Sequence, residues 1–207
     1  MSQRPKPTAL SEFPSPEESG VRVREVTPLS SNWYHLARYE FELRLPDGSW
    51  QSQRREAYDR GNGATILLYN RERHTVVLTK QFRLPAFLGG DHGWMIEAAA
   101  GLLDGDSPGD AIRREVEEET GYRVAAPQPL FDLFMSPGSV TERIHFFMAE
   151  FDPGNRPGAG GGADGENENI EVLEIGFDEA LARIARGEIR DAKTVVLLYH
   201  ARIQGVL

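Results

Sequence analysis

Alternating apolar and polar residues in the first third of the chain predict three β-strands. The segments VRVREV (21–26), NWYHLARYEFELRL (32–45) and SWQSQRREA (49–57) are rich in β-branched and aromatic residues. Pro46-Asp47-Gly48 is a typical turn sequence between the last two segments. We therefore expect a small antiparallel sheet over residues 21–59.

Continuous apolar runs in the rest of the chain predict buried strands, and helical periodicity predicts three helices. The strand candidates are GATILLY (63–69), TVVLTKQF (75–82), RIHFFMAEF (143–151) and EVLEI (171–175), and the helix candidates are 108–120, 177–186 and about 192–203. The charged turn NRERH separates the first two strands. We predict an α/β fold in which residues 60–207 form a mixed-sheet α/β/α sandwich, preceded by the N-terminal antiparallel β-sheet.

Two segments have no apolar periodicity. Residues 1–20 contain four prolines and few apolar residues, so we expect a disordered tail with no assigned function. Residues 152–169 form a glycine-rich loop, and loops longer than ~12 residues inside compact domains are usually functional or disordered. A flexible insertion is one interpretation of this loop. The acids near its end favour a functional one, namely Asp164, Glu166 and Glu168.

The composition excludes several classes of function. The 207-residue chain is 40% hydrophobic, which suits one catalytic domain with a small accessory element. A net charge of −9 would repel a phosphate backbone, so we expect no nucleic-acid partner. Cysteine is absent, which excludes disulfides and thiolate chemistry and leaves oxygen as the main metal ligand. No apolar run approaches ~18 residues and the start does not resemble a leader, so we expect no membrane partner and a cytoplasmic location.

The segment 107–121 carries the signals of a capped helix. Ser107 is a typical N-cap, and Pro108 suits the first helical position. Asp110 adds an acid to the first turn, where the helix dipole favours negative charge. Gly121 provides the C-terminal stop.

Three carboxylates near the end of this helix make it costly to form. Glu115, Glu118 and Glu119 are spaced three and four residues apart and share one face. Like charges at this spacing destabilise a helix by ~0.2–0.5 kcal/mol per pair, and acids near its C-terminus oppose its dipole. A solvated acidic face is one explanation. The other is a bound cation: Arg114 can reach Glu118, which leaves Glu115 and Glu119 to bind Mg²⁺ beside substrate phosphates.

The string Arg114-Glu115-Val116-Glu117-Glu118-Glu119-Thr120-Gly121-Tyr122 resembles the second half of the Nudix box at every position. The first half departs from the family pattern. Asp106 stands at the place of the box glutamate and Ala100 at that of the glycine, with Gly101 one residue later. On these residues the chain resembles the Nudix hydrolases.

The rest of the chain resembles one branch of that family, the GDP-mannose pyrophosphatases among the ADP-ribose pyrophosphatase-like Nudix enzymes. The similar segments are EAYDRGNGATILLYN (56–70), KQFRLP (80–85), AGLLDGD (100–106), MSPGSVTERIHFFMAEF (135–151), AGGGADGENENIEVLEI (159–175) and GEIRDAKTVVLL (187–198). The resemblance extends from about residue 21 to the end. It implies a homodimer in which the N-terminal sheet is exchanged into the partner's site, and Mg²⁺ as cofactor, which Mn²⁺ could replace.

The resemblance also implies metal and catalytic residues. The metal ligands would be the Ala100 carbonyl, Glu115, Glu119 and Glu166. The catalytic residues would be Glu118, Glu142 and Glu166. The general base stays open among Glu142, Glu166 and Glu168, each of which could also be a solvated loop acid.

The substrate-binding residues implied by the resemblance are spread along the chain. They are Trp33, Arg54, Arg55, Glu56, Arg83, Ala100, Gly101, Leu102, Glu119, Glu142, Glu166 and Lys193. Arginine suits a diphosphate because its guanidinium binds phosphate oxygens in pairs. Arg60 lies close to Arg54 and Arg55 in the sequence, although exposed strand charges would give the same pattern. Either Trp33 or Tyr34 could stack on the base, and an aromatic residue in a strand could equally belong to the core.

Together these assignments predict Mg²⁺-dependent hydrolysis of the pyrophosphate bond of a nucleoside diphosphate sugar. The expected substrate is GDP-mannose, which would give GMP and mannose 1-phosphate. An ADP-ribose pyrophosphatase giving AMP and ribose 5-phosphate is the nearest alternative. A catalytically inactive nucleotide-binding module of Nudix fold would have lost box carboxylates, and all three are present. We expect a tail (1–20), a sheet for dimerisation and substrate contact (21–59) and a Nudix hydrolase domain (60–207).

Overall fold

The chain divides into two units in the computed structural model, which describes residues 13–163 and 169–207. One unit runs to Asn62 and also includes Ser136–Glu142, and the other contains Gly63–Met135 and Arg143–Leu207. Backbone hydrogen bonds attach the distant segment to the first unit. Tyr58 N donates to Ser139 O at 2.8 Å and Thr141 N donates to Tyr58 O at 3.1 Å. No local pattern in the sequence indicates this attachment.

The first unit contains a short helix and an antiparallel sheet. Its elements are α1 (Pro16–Ser19), β1 (Val21–Ser30), β2 (His35–Arg44) and β3 (Trp50–Asp59), with strand order β1-β2-β3. The N-terminal antiparallel sheet is thus confirmed, with the β2–β3 turn where Pro46-Asp47-Gly48 predicts it. Of the segment 1–20, expected as a disordered tail, residues 16–19 form the single turn α1, and residues 1–12 lie outside the described part.

The second unit contains a seven-stranded mixed sheet and four helices among its described residues. Its elements are β4 (Gly63–Asn70), β5 (Thr75–Phe82), α2 (Leu84–Leu88), β6 (Trp94–Glu97), β7 (Ala99–Leu102), α3 (Pro108–Thr120), β8 (Gln128–Phe134), β9 (Arg143–Glu150), β10 (Glu171–Gly176), α4 (Phe177–Ala185) and α5 (Ala192–Ile203). The strand order is β10-β5-β4-β9-β8, with β6 beside β5 and β7 beside β4. β4 and β9 are parallel and the other pairs are antiparallel, so the sheet is mixed as predicted.

Helices cover both faces of this sheet. The side chains of a strand alternate between the two faces, so a strand that is apolar throughout has to be covered on both sides. All eight residues of β4 are buried. Ile66 and Leu68 belong to the core that includes Ile112 of α3, and Leu67 belongs to the core that includes Phe177 and Leu198 of α4 and α5. This arrangement confirms the α/β/α sandwich.

Sequence patterns missed four elements of the second unit. They are α2, β6, β7 and β8. β6 and β7 have only four residues each, and β7 consists largely of alanine and glycine, which have low strand propensity. Ala100 and Gly101 therefore lie in a strand that the sequence pattern did not predict. No helix within residues 13–163 and 169–207 is both long and apolar enough to cross a membrane.

Candidate active site

Local sequence sets both ends of α3. The Ser107 hydroxyl accepts a hydrogen bond from Asp110 N at 3.2 Å, and Pro108 occupies the first turn. Gly121 ends the helix with φ of 77°, and its N–H donates to Glu117 O at 3.0 Å. The helix begins and ends at the residues expected from its caps, and Ile112 and Val116 on its apolar face pack into the core shared with β4.

Two carboxylates of α3 lie against β7. Glu119 is only 3% exposed, and its Oε2 accepts a hydrogen bond from Ala100 N at 3.2 Å. Glu115 lies directly over Gly101, where an added Cβ would be 2.1 Å from Glu115 Cδ. The absence of a side chain at Gly101 leaves room for the Glu115 carboxylate in this position. Leu102 continues the same ladder by pairing with Gly63.

The donors gathered here fit a hard divalent cation. The described part of the site offers the carboxylates of Glu115 and Glu119 beside the backbone of Ala100. Carboxylate and carbonyl oxygens are the ligands that Mg²⁺ prefers in proteins. Within the described ranges no three His, Cys, Asp or Glu side chains form a complete metal site on their own. Glu166, expected as a further ligand, and Glu168 lie outside the described residues.

Arg114 contacts three acids around this pair. Its Nη1 lies 3.0 Å from Glu115 Oε1 and 3.7 Å from Glu118 Oε2, and its Nη2 lies 3.5 Å from Asp106 Oδ2. We expected Arg114 to hold Glu118, and the structure places it closer to Glu115. Asp106, at the departing position of the box, thus interacts with the box arginine. This ion-pair network limits the freedom of Glu115.

A second cluster of charges surrounds Glu97 in the same unit. Arg83 donates to Glu97 Oε1 from Nε at 3.0 Å and to Oε2 from Nη2 at 2.9 Å. Burial acts to lower the pKa of Arg83, but the hydrogen bonds and charge of Glu97, with the charges of Glu119 and Asp191, outweigh it and raise that pKa. Lys193 Nζ lies 3.8 Å from Glu97 Oε2 and 2.6 Å from Asp191 Oδ1. Two of the expected substrate-binding residues, Arg83 and Lys193, therefore share one buried acid.

Thr194 connects this charge cluster to the strand edge. Its buried hydroxyl donates to Asp191 Oδ2 at 2.7 Å and accepts from Ala98 N at 2.7 Å. Asp191 Oδ2 also accepts from Thr194 N at 2.9 Å, which caps α5. Ala98 stands between β6 and β7, so Lys193 and Ala100 are held on the same framework.

Glu97 was not among the residues expected at the site. Its side chain is 4% exposed, and a buried carboxylate requires partners because desolvation of a charge is costly. The sequence does carry a signal, since Glu97 is a single acid inside the apolar string WMIEAAA. Burial of that string would have identified Glu97 as a paired acid.

In the first unit, Arg54 and Arg55 lie on opposite faces of the sheet. Arg54 is opposite Glu40 in the ladder and its Nη2 lies 3.0 Å from Glu40 Oε1. Arg55 is the next residue of β3 and its Nη1 donates to Arg54 O at 2.7 Å. Glu56 is exposed on the same face as Arg54. The strand therefore does not bring the two expected phosphate-binding arginines together on one face.

The expected aromatic and acidic residues of the first unit have different surroundings. Trp33 is 78% exposed, whereas Tyr34 packs edge-on against Tyr58 with ring centroids 5.9 Å apart. Glu142 is mostly buried, and its Oε1 lies 3.1 Å from Arg60 Nε. Arg60 is thereby paired to the one described candidate for the general base.

Comparisons with known proteins match both units. The family model described as NUDIX domain matches residues 59–198. The model described as GDP-mannose pyrophosphatase NudK N-terminal domain matches residues 20–58.

Curated relatives are similar over nearly the whole chain. A GDP-mannose pyrophosphatase of Pectobacterium atrosepticum is 52% identical over 188 residues, which cover 90% of this chain and 96% of the relative. One of Klebsiella pneumoniae subsp. pneumoniae is 52% identical over 180 residues, 86% of this chain and 90% of the relative. One of Cronobacter sakazakii is 51% identical over 180 residues, 86% of this chain and 93% of the relative.

The Glu97 pair makes a testable contribution to stability. Glu97→Gln should lower the free energy of unfolding by about 1–3 kcal/mol, because Arg83 loses a charge-assisted pair of hydrogen bonds. Arg83 is 40% exposed, so water should keep the loss toward the lower value. Chemical denaturation would measure it, with Glu72→Gln in the exposed β4–β5 turn as the control. Equal losses in both variants would show that the pair does not stabilise the fold.

Proposed function

Since this chain belongs to the Nudix hydrolase family, we propose that it hydrolyses the pyrophosphate bond of GDP-mannose to give GMP and mannose 1-phosphate. The observation that carries this proposal is the pair Glu115 and Glu119, held against Ala100 and Gly101 by α3 and β7. The names of the relatives, at about half identity over most of the chain, support GDP-mannose as the substrate. In the reaction, water oxygen bonds to one phosphorus as the bridging P–O bond breaks.

We propose Mg²⁺ as the cofactor, held by Glu115, Glu119, the Ala100 carbonyl and Glu166. When bound, the ion would neutralise diphosphate charge and lower the pKa of a coordinated water. Glu166 belongs to this set through the resemblance and lies outside the described residues.

Residues of the chain would bind and orient the diphosphate. Arg83 offers guanidinium donors beyond those used by Glu97, and Lys193 adds a second positive charge. The backbone of residues 100–102 would contact the substrate, which is compatible with the small side chain of Ala100 and the absence of one at Gly101. Glu118, which shares Arg114 with Glu115, would support the metal ligands without binding the ion.

The general base remains a choice among Glu142, Glu166 and Glu168. The side chain of Glu142 is held in place, because it is only 15% exposed and is paired with Arg60. A base must have an acceptor oxygen within hydrogen-bond reach of the attacking water. Glu142 keeps a second oxygen beyond the one paired with Arg60, so it meets the chemical requirement.

We propose that the protein is a homodimer in which the sheet β1–β3 contributes Trp33, Arg54, Arg55 and Glu56 to the partner's site. The low burial of the side chains in this sheet supports an exchange. Each of its strands has ten residues, and Ala37 is the one buried residue among them. A small sheet needs an apolar face covered by another element for stability. A second copy would provide that cover.

A substrate panel tests the proposed reaction. With Mg²⁺, the protein should convert GDP-mannose to GMP and mannose 1-phosphate faster than it hydrolyses ADP-ribose or dinucleotides, as measured by chromatography of the products. Glu119→Gln should reduce the rate by at least about 100-fold, because a metal ligand is lost, while the melting temperature stays near that of the parent. Faster release of AMP and ribose 5-phosphate from ADP-ribose would contradict the substrate. Parental turnover of Glu119→Gln would contradict the metal site.

Mixed dimers test the exchanged sheet. An Arg54→Ala/Arg55→Ala chain mixed equally with a Glu119→Gln chain should recover about a quarter of the parental activity, since half of the dimers are hybrid and one of their two sites is intact. Each variant alone should stay nearly inactive. An Arg22→Ala/Arg24→Ala chain, altered in β1 of the same sheet, is the control and should be active alone. Hybrid dimers that form but recover no activity would show that the arginines act in their own subunit.

A further inference from the structure

The glycine-rich segment Asn155–Gly162, here called the clasp, covers the C-terminal end of α3. A helix leaves its last four carbonyls without partners inside the helix. Here Gly162 N donates to Glu118 O at 3.1 Å, Gly161 N donates to Glu119 O at 2.9 Å, and Arg156 Nε donates to Thr120 O at 3.2 Å. Gly121 N donates to the remaining carbonyl, that of Glu117, at 3.0 Å. Every carbonyl of the last turn therefore has a donor, and the clasp supplies three of the four.

Arg156 adds charge as well as a hydrogen bond. Its guanidinium lies 4.9 Å from the Tyr122 ring centroid, and its Nη2 donates to Ala159 O at 2.9 Å. A positive charge at a helix C-terminus is favourable, whereas the acids of α3 are unfavourable there. Arg156 therefore offsets part of the cost of placing Glu118 and Glu119 in the last turn.

Glycine is required where the clasp touches the helix. An added Cβ at Gly160, whose φ is +74°, would lie 2.5 Å from Glu119 O. At Gly121, with φ of +77°, it would lie 2.2 Å from Gly158 O. At Gly158 the nearest atom would be 3.8 Å away, an ordinary contact. The backbone of the clasp thus lies directly against the peptide of Glu119.

We propose that the clasp is a positioning element for the metal-binding carboxylates, acting through Gly160 and Arg156. This inference rests on the proposed function, which makes Glu115 and Glu119 metal ligands. Glu119 is held at two points, its carbonyl by the clasp and its carboxylate by Ala100 N. Glu115 is one helical turn earlier, so displacement of the last turn changes the spacing between the two carboxylates. Mg²⁺ demands near-ideal octahedral geometry and is sensitive to such a change.

Metal affinity of the unloaded protein tests the proposal. Mn²⁺ would be titrated into full-length protein by calorimetry, at a temperature where circular dichroism shows every variant folded. Gly160→Ala should bind Mn²⁺ about 10-fold more weakly or worse, the range expected when groups that orient metal ligands are altered. Gly158→Ala, in the same segment with an unobstructed Cβ, is the matched control and should bind like the parent.

Arg156→Lys is a second variant that does not depend on how Gly160→Ala folds. Lysine keeps the positive charge but cannot reproduce the paired contacts to Thr120 and Ala159, so Mn²⁺ binding should again weaken. A lower melting temperature with parental Mn²⁺ affinity in both variants would overturn the proposal, because the clasp would then serve stability alone. Absence of Mn²⁺ binding by the parent would instead overturn the proposed metal site.

Discussion

The packing of α3 against β7 is the constraint on which the site depends. Glu119 is buried, and burying a carboxylate is unfavourable unless hydrogen bonds and positive charge compensate. The Ala100 N–H supplies one such hydrogen bond, and Gly101 lets Glu115 approach the same strand. β7 is fixed by its ladder with β4. Because both carboxylates of α3 contact β7, their positions are set by the same strand. Under the proposed function, a hard cation would bind both carboxylates and add positive charge beside them.

A protein of net charge −9 has to concentrate positive charge where it handles a diphosphate. Arg83 and Lys193 meet around Glu97, which keeps both cations near the strand that leads into Ala100. Negative neighbours raise the pKa of Arg83, so its charge is secure. Under the proposed function, the buried acid would restrain both cations while leaving them donors for phosphate oxygens.

Sequence patterns predicted the parts of the fold whose information is local. The caps of α3, the alternating strands of the first sheet and the buried run of β4 all follow from neighbouring residues. Contacts between distant residues were not accessible in this way. The string WMIEAAA indicates that Glu97 is a paired acid, but its partner Arg83 follows from the pairing of β5 with β6. The attachment of Ser136–Glu142 to β3 likewise required tertiary structure. The separation of Arg54 and Arg55 onto opposite faces was available from strand periodicity, since adjacent residues alternate.

The location of a bound metal is the decisive observation for the site between α3 and β7. Crystals of the protein grown with Mn²⁺ and measured at the manganese absorption edge would locate the ion by anomalous scattering. We expect an anomalous peak within bonding distance, about 2.0–2.4 Å, of carboxylate oxygens of Glu115 and Glu119 and of the Ala100 carbonyl. A peak bound to other residues, or no peak at a Mn²⁺ concentration that supports catalysis, would contradict the metal site at Glu115, Glu119 and Ala100.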